Sequence, residues 1–448
     1  MVNVENITVV IPSWNEKENL KQCVELIEAN YPNINIIVVN NGSTDGTQKW
    51  LESQEIEYVY FDEGVQTVGK VLNEVIDNFD VQEYICVIWP QVRVGKKTIT
   101  AMIDTLCGNE RNGVAGCRAN GQVYEQDANI RSYGDLLEIE NTSMEDNDFE
   151  VVGTEGLCYC FNTKIINSVG KFDENLAYTD IMVDFQLRTL LAGYRNMISR
   201  NSYVYETETK KESAGWINQL CVADRRYLRK KWNTNYFMLA ANNKFNLLID
   251  RASEEKFSVL EVGCDMGANL LGIKNAHPNC KIYGLEINKS SVNVGKHVAD
   301  ICYGNIEEEN VDFGEKFDYI IFGDVLEHLH NPLKTIEYCR TLLKKDGCIV
   351  ASIPNVMHVS VMEQLLRGEF RYTEVGLLDR THIHLFTQKE IIKMFTETGY
   401  DIEKLQGVIY ELTPHQEELI PKLMSISENV SENMYQVYQY SVVARMLS

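Results

Sequence analysis

The chain states one structural pattern twice: an apolar run, a turn rich in Gly, Asn or Ser, and a helical pattern that leads to the next apolar run. The first series passes through a strand-like run at 7–12, a helix over 18–30, a strand at 34–40 and the turn Asn41-Gly42-Ser43-Thr44-Asp45-Gly46. It continues with a strand at 57–61, a helix over 68–79 and a strand at 84–89. The second series begins with a helix over 238–249 and a strand at 258–262, and repeats at 281–286, 317–323 and 348–353. Strands alternating with helices build mostly parallel sheets covered by helices. The fold class is therefore α/β, with two domains. A basic helical cluster, Arg225, Arg226, Arg229, Lys230 and Lys231, followed by polar residues 233–235, sets the expected boundary: 1–235 and 236–448. The stretch 138–150, rich in acids and Asn, reads as a loop.

Composition narrows the partners. Asp and Glu number 65 against 42 Lys and Arg, a formal charge of −23, which repels a nucleic-acid backbone and an anionic membrane surface alike. Apolar runs such as 34–39 and 319–322 fall well short of the roughly 18 residues that a membrane span requires. Residues 1–7 carry acids rather than a basic start to a long apolar segment, so a cytoplasmic protein without a secretory signal is expected. The 12 cysteines include no Cys-x-x-Cys pair, and Cys158 and Cys160 alternate along an apparent strand. Reduced core thiols and no metal centre are expected.

The strongest local signal is Val259-Leu260-Glu261-Val262-Gly263-Cys264-Asp265-Met266-Gly267, an apolar strand that enters a glycine turn ahead of a helix. Glycines there let the backbone approach a ligand at the carboxyl end of the strand. Glu286 closes the next strand, where a carboxylate can accept both hydroxyls of a ribose. A nicotinamide site would prefer a Gly-x-Gly-x-x-Gly turn holding pyrophosphate. The acids Glu261 and Asp265 would repel phosphate but suit the sulfonium and amino group of S-adenosylmethionine.

These residues resemble the class I S-adenosylmethionine-dependent methyltransferases, as do Gly304-Asn305-Ile306-Glu307 and the run from Phe317 through Asp324 to Leu329. The resemblance implies a Rossmann-like domain with cofactor contacts from Glu261, Gly263, Cys264, Asp265, Gly267, Glu286, Ile287, Asn305, Ile306 and Asp324. Ser352-Ile353-Pro354-Asn355 and Leu377-Leu378-Asp379-Arg380-Thr381-His382 look like a subgroup often found beside sugar-modifying enzymes. Methyl transfer to a hydroxyl needs a base, and histidine titrates near neutrality. The candidates are His328, His358 and His382, with His382 favoured as base and Asp379, three residues before it, as its orienter.

In the first half, Val9-Val10-Ile11-Pro12-Ser13-Trp14-Asn15-Glu16, the run from Ile36 to Thr47, and Val169-Gly170-Lys171-Phe172-Asp173-Glu174 resemble family 2 glycosyltransferases of the GT-A fold. The resemblance implies a nucleotide-sugar-like cleft formed by Pro12, Trp14, Glu16, Asn40, Gln91 and Asp184. Such enzymes place acids near the nucleobase, on a divalent cation and at the acceptor hydroxyl. Here those positions read Asn40, Trp89-Pro90-Gln91 and Ile181-Met182. An amide cannot neutralise a hard cation as a carboxylate does, which argues against a divalent metal there and leaves Asp180 or Asp184 as substitute bases. The combination implies an O-methyltransferase acting on a sugar or glycan, free or on a glycosylated protein, with a first domain that is weakly active or inactive in sugar transfer and positions the acceptor or a partner. A bifunctional enzyme that adds a sugar and methylates it is the runner-up, as in bacterial surface or flagellin glycan synthesis, and a non-catalytic glycan-binding scaffold the third reading.

Overall fold

The computed structural model describes residues 3–447 apart from 55, 62–65, 123–125, 143–146, 155, 208–210 and 235–236, with the backbone alone given for 211–217. Two compact units emerge: one comprises Met1–Asn243, Asp265–Asn275 and Asn293–Val298, the other Lys244–Cys264, Ala276–Val292 and Ala299–Ser448. The expected boundary at 235 lies outside the described residues. Among the described residues no helix is long and apolar enough to cross a membrane.

The first unit holds β1 (Ile7–Ser13), β2 (Asn35–Asn40), β3 (Glu57–Tyr60), β4 (Tyr84–Ile88), β5 (Val92–Val94), β6 (Asn112–Ala119), β7 (Phe149–Val151), β8 (Cys158–Asn162) and β9 (Arg195–Glu206). They form one sheet in the order β3-β2-β1-β4-β8-β6-β9-β5, with β7 against β9. Strand β1 is buried at every position, as an apolar run with helices on both faces of its sheet must be. Helix Lys17–Asn30 buries Leu20, Cys23, Val24 and Ile27, the 3.6-residue stripe that covers a sheet.

This sheet is mixed rather than mostly parallel: β4–β8 and β6–β8 run antiparallel. That pairing also overturns the expectation of uniformly reduced thiols, because the β4–β8 register sets Cys86 opposite Cys160 and a disulfide joins them. The stretch read as a loop at 138–150 contains the end of helix Tyr133–Asn141 and all of β7, while its residues 143–146 lie outside the described residues. Glu140, inside that stretch, is buried and accepts the backbone N–H groups of Lys96 and Lys97 at 2.8 and 3.0 Å.

The second unit holds β10 (Ser258–Val262), β11 (Lys281–Glu286), β12 (Asp300–Tyr303), β13 (Phe317–Gly323), β14 (Leu343–Pro354), β15 (Tyr400–Ile409) and β16 (Val437–Met446). Their order is β12-β11-β10-β13-β14-β16-β15. The strands from β12 to β14 pair in parallel and β16 runs antiparallel to both neighbours. Strand order reverses between β10 and β13, so a crevice opens beyond their carboxyl ends, the usual ligand position in such sheets. The helix expected over 238–249 is confined to Lys244–Leu248. Asn242 and Asn243 precede it, and asparagine competes poorly as a helix former; the Asn242 N–H is instead bonded to Asn269 Oδ1 at 2.8 Å.

Candidate functional site

The crevice of the second unit is built on the turn after β10. Gly263 has φ +70°, and a Cβ there would stand 2.7 Å from Cγ2 of Val325, in the loop after β13. Only glycine lets these two loops approach. Asp265 and Gly267 also take positive φ, at 47° and 89°, and Asp265 Oδ2 accepts the N–H of Met238 at 3.1 Å. Cys264 and Glu261 are buried, and Glu261 Oε1 would lie 3.8 Å from a Cβ at Gly323.

At the end of β11 the nearly buried Glu286 accepts the N–H of Asn288 at 2.7 Å, and its carbonyl accepts the N–H of Gly304 at 3.0 Å. Ile287 is 64% exposed and Ile306 buried. Asn305 caps the next turn through its bond from the Glu307 N–H. Asp324 adopts φ 57° and is fixed by Ser352 Oγ at 2.9 Å and by the Gln439 amide. Lys244, missed in the sequence, lies 3.9 Å from its other oxygen, and burial lowers this lysine's pKa. A backbone cradle that excludes Cβ atoms, the acids Glu261 and Asp324 and a carboxylate on the neighbouring strand fit a cationic adenosine cofactor.

Just beyond Asp324, the turn Leu326–His328 carries Glu327. Its side chain is fully buried, and neither carboxylate oxygen has a hydrogen-bond partner among the described residues. Burial, reinforced by the Asp324 carboxylate, pushes the carboxyl well above the usual range. His382 Nε2 lies 3.9 Å from Glu327 Oε1, while its Nδ1 meets the carbonyl of Leu377 at 3.1 Å. His328 Nδ1 meets the carbonyl of Thr381 at 3.1 Å, and the two imidazoles stack edge to face at 4.8 Å. A carbonyl only accepts, so each neutral ring keeps its proton on Nδ1 and its lone pair on Nε2. Burial also lowers the pKa of His328.

The expected Asp379–His382 couple is corrected. The Asp379 carboxylate turns to Thr381, accepting its N–H at 2.8 Å and its hydroxyl at 2.6 Å, the local turn that aspartate favours. The acid beside His382 is Glu327. The one signal for it in the sequence is its adjacency to His328. His358 caps helix Val359–Leu366, with Nδ1 2.8 Å from Ser360 Oγ, and packs on Tyr438; it stands outside the trio.

In the first unit a cleft is lined by the expected Pro12, Trp14, Glu16 and Gln91, together with Trp89 and Tyr178. Ser13 Oγ, Glu16 Oε1 and Gln91 Oε1 are buried with no hydrogen-bond partner among the described residues. Asn40 is a brace beside the cleft: it donates to Gln48 and accepts the Ser43 N–H. Asp184 is corrected as well. It is fully buried in a network with Arg188, Lys231 and Trp232, and Asp180 is paired with Arg225. Among the described residues that line the cleft, Glu16 supplies the one carboxylate. One acid and an amide do not fit the divalent cation of a sugar-nucleotide diphosphate.

Residues 8–159 match the glycosyl transferase family 2 model and 229–405 match a methyltransferase domain model. The ubiquinone biosynthesis O-methyltransferase of Glaesserella parasuis is 24% identical over 194 residues, 41% of this chain and 78% of that one. Its counterpart from Rickettsia canadensis is 23% identical over 185 residues, 40% of this chain and 75% of that one. Among solved structures, a SAM dependent methyltransferase from Archaeoglobus fulgidus matches at 14% identity and a TM-score of 0.33, covering 49% of this chain and 94% of that one. A mannosyltransferase from Pyrobaculum calidifontis, in complex with GDP-Man and Mn²⁺, matches at 15% identity and a TM-score of 0.38, covering 50% of this chain and 64% of that one.

Proposed function

We propose that this chain, in which a glycosyltransferase family 2 domain precedes an S-adenosylmethionine-dependent methyltransferase domain, methylates a hydroxyl of a sugar or glycan. The observation that carries the reading is the trio Glu327, His328 and His382, two members of which follow closely on Val325, the residue that packs at Gly263. S-adenosylmethionine supplies a methyl group made electrophilic by its sulfonium. Gly263, Gly267 and Glu286 bind the cofactor, with Cys264, Ile287, Asn305 and Ile306 along its path, and Glu261 and Asp324 balance its charge. The acceptor hydroxyl loses its proton to the trio as the new carbon–oxygen bond forms, and the surrounding loops hold it in line.

The first domain, proposed to end near residue 235, holds the acceptor and transfers no sugar of its own. Trp14, Trp89 and Tyr178 offer aromatic surface, and the oxygens of Ser13, Gln91 and Glu16 that have no partner among the described residues offer hydrogen bonds, with a single carboxylate where a cation site requires more. Such a lining suits a neutral sugar. A cytoplasmic setting, where S-adenosylmethionine is available, fits this reading. Incubation with labelled S-adenosylmethionine and a panel of nucleotide sugars and glycans tests it: a methylated sugar is expected, and cofactor binding without any methylated sugar defeats it.

A further inference from the structure

We propose that Glu327, His328 and His382 form a binding site for a divalent metal ion. One ring nitrogen from each histidine and one carboxylate oxygen of Glu327 lie within 4.8 Å of one another. Their positions in the chain, 54 residues from His328 to His382, hide the set from any reading of local ligand spacing.

Three independent features point to a cation. Glu327 is fully buried with neither oxygen bonded, and an unpartnered buried carboxylate costs several kcal/mol unless a positive species meets it. Both imidazoles spend Nδ1 on main-chain carbonyls, those of Leu377 and Thr381, which is how metal-ligating histidines are held with Nε2 directed at the ion. Lys244, whose charge acts on Glu327, is itself engaged with Gln439 at 3.1 Å and stands by Asp324. Asp324 and Asp379 add negative charge around the trio.

The geometry is close to a bound state. Two ligands each about 2.1 Å from a metal can be at most about 4.2 Å apart. The 3.9 Å between Glu327 and His382 already meets that limit, and the 4.8 Å bound asks for a shift of roughly half an ångström. Two imidazole nitrogens and one carboxylate favour Zn²⁺, Mn²⁺, Fe²⁺ or Co²⁺ over Mg²⁺ or Ca²⁺. Three protein ligands leave coordination positions open to oxygen ligands such as the hydroxyls of an acceptor. That last role rests on the methyl-transfer reading, and with an ion bound the imidazoles would be ligands rather than bases, the acidified acceptor hydroxyl giving its proton to water; the site itself does not rest on that reading.

The test uses the full chain, stripped with a chelator and titrated with Zn²⁺, Mn²⁺ and Co²⁺ by calorimetry, with the visible spectrum of the Co²⁺ form as a second readout. One equivalent is expected to bind at micromolar affinity or tighter, raise the melting temperature, and give a nitrogen-and-oxygen Co²⁺ spectrum. Glu327→Gln should weaken binding at least 100-fold and His382→Gln at least tenfold, while S-adenosylmethionine affinity, measured without metal, shows that each variant folds. No saturable binding, or unchanged binding in Glu327→Gln, overturns the site: the buried carboxyl would then be held by a proton. Metal binding in a protein that methylates no sugar would uphold the site and refute the proposed function alone.

Discussion

Replacing Gly263 by alanine tests how the cofactor crevice is built. Two costs can be separated. The left-handed backbone at φ +70° costs a non-glycine residue roughly 1–2 kcal/mol, and the new Cβ meets Val325 Cγ2 at 2.7 Å, too near for carbon, so the loop after β13 must move. The backbone cost alone predicts a fall in melting temperature of about 2–8 °C for a unit of this size. Displacing the loop that carries Val325 and Asp324 should weaken S-adenosylmethionine binding at least tenfold, about 1.4 kcal/mol. The double variant Gly263→Ala, Val325→Ala removes the methyl that clashes, so calorimetry should show most of the affinity restored while the melting temperature stays low. Wild-type affinity in the single variant would refute the close approach as the reason for this glycine; no rescue in the double variant would refute Val325 as the obstacle.

Glu286→Ala should weaken cofactor binding at least tenfold, since charge-assisted hydrogen bonds are worth about 1.5–3 kcal/mol each; unchanged calorimetric affinity would remove Glu286 from the site. Assayed with common nucleotide sugars and Mg²⁺ or Mn²⁺, the chain should show no metal-dependent sugar transfer, and Gln91→Asp should not create it; turnover by the wild type would contradict the reading of the cleft. Burial raises the Glu206 carboxyl to about 7, against bonds from the Leu157 N–H and Gln122 that lower it. The folded state therefore keeps this proton to a higher pH than the unfolded chain. The resulting stability is full below about pH 4.5 and is lost as pH rises to about 7, on the order of 3 kcal/mol in all. Melting scans should show that slope reduced in Glu206→Gln, and an unchanged slope would contradict it.

The parallel strands and their helices were legible because each is a short, closed unit of pattern: β1, β2 and β10 are mostly apolar and buried at nearly every position, and helix Lys17–Asn30 shows its buried stripe openly. The antiparallel additions were not, because β8 and β16 owe their neighbours to register across long separations. The glycine turn and Glu286 could be read for the same reason as the strands they end. Glu327, His328 and His382 meet only through the return of a distant loop. The spacing of Asp379 and His382 suggested a shared face that Thr381 claims instead. Asp184 looked like a spare acid because sequence does not show that Arg188, Lys231 and Trp232 surround it.

Methyl transfer itself is the most direct measurement. Labelled S-adenosylmethionine is supplied with a sugar and glycan panel, products are read by mass, and wild type is compared with His328→Gln, His382→Gln and Glu327→Gln at saturating cofactor. The wild type should yield a sugar heavier by one methylene, and the variants should lose at least 100-fold in rate while cofactor affinity persists. A wild type that binds cofactor but methylates no sugar, or three variants that retain the wild-type rate, would contradict the account.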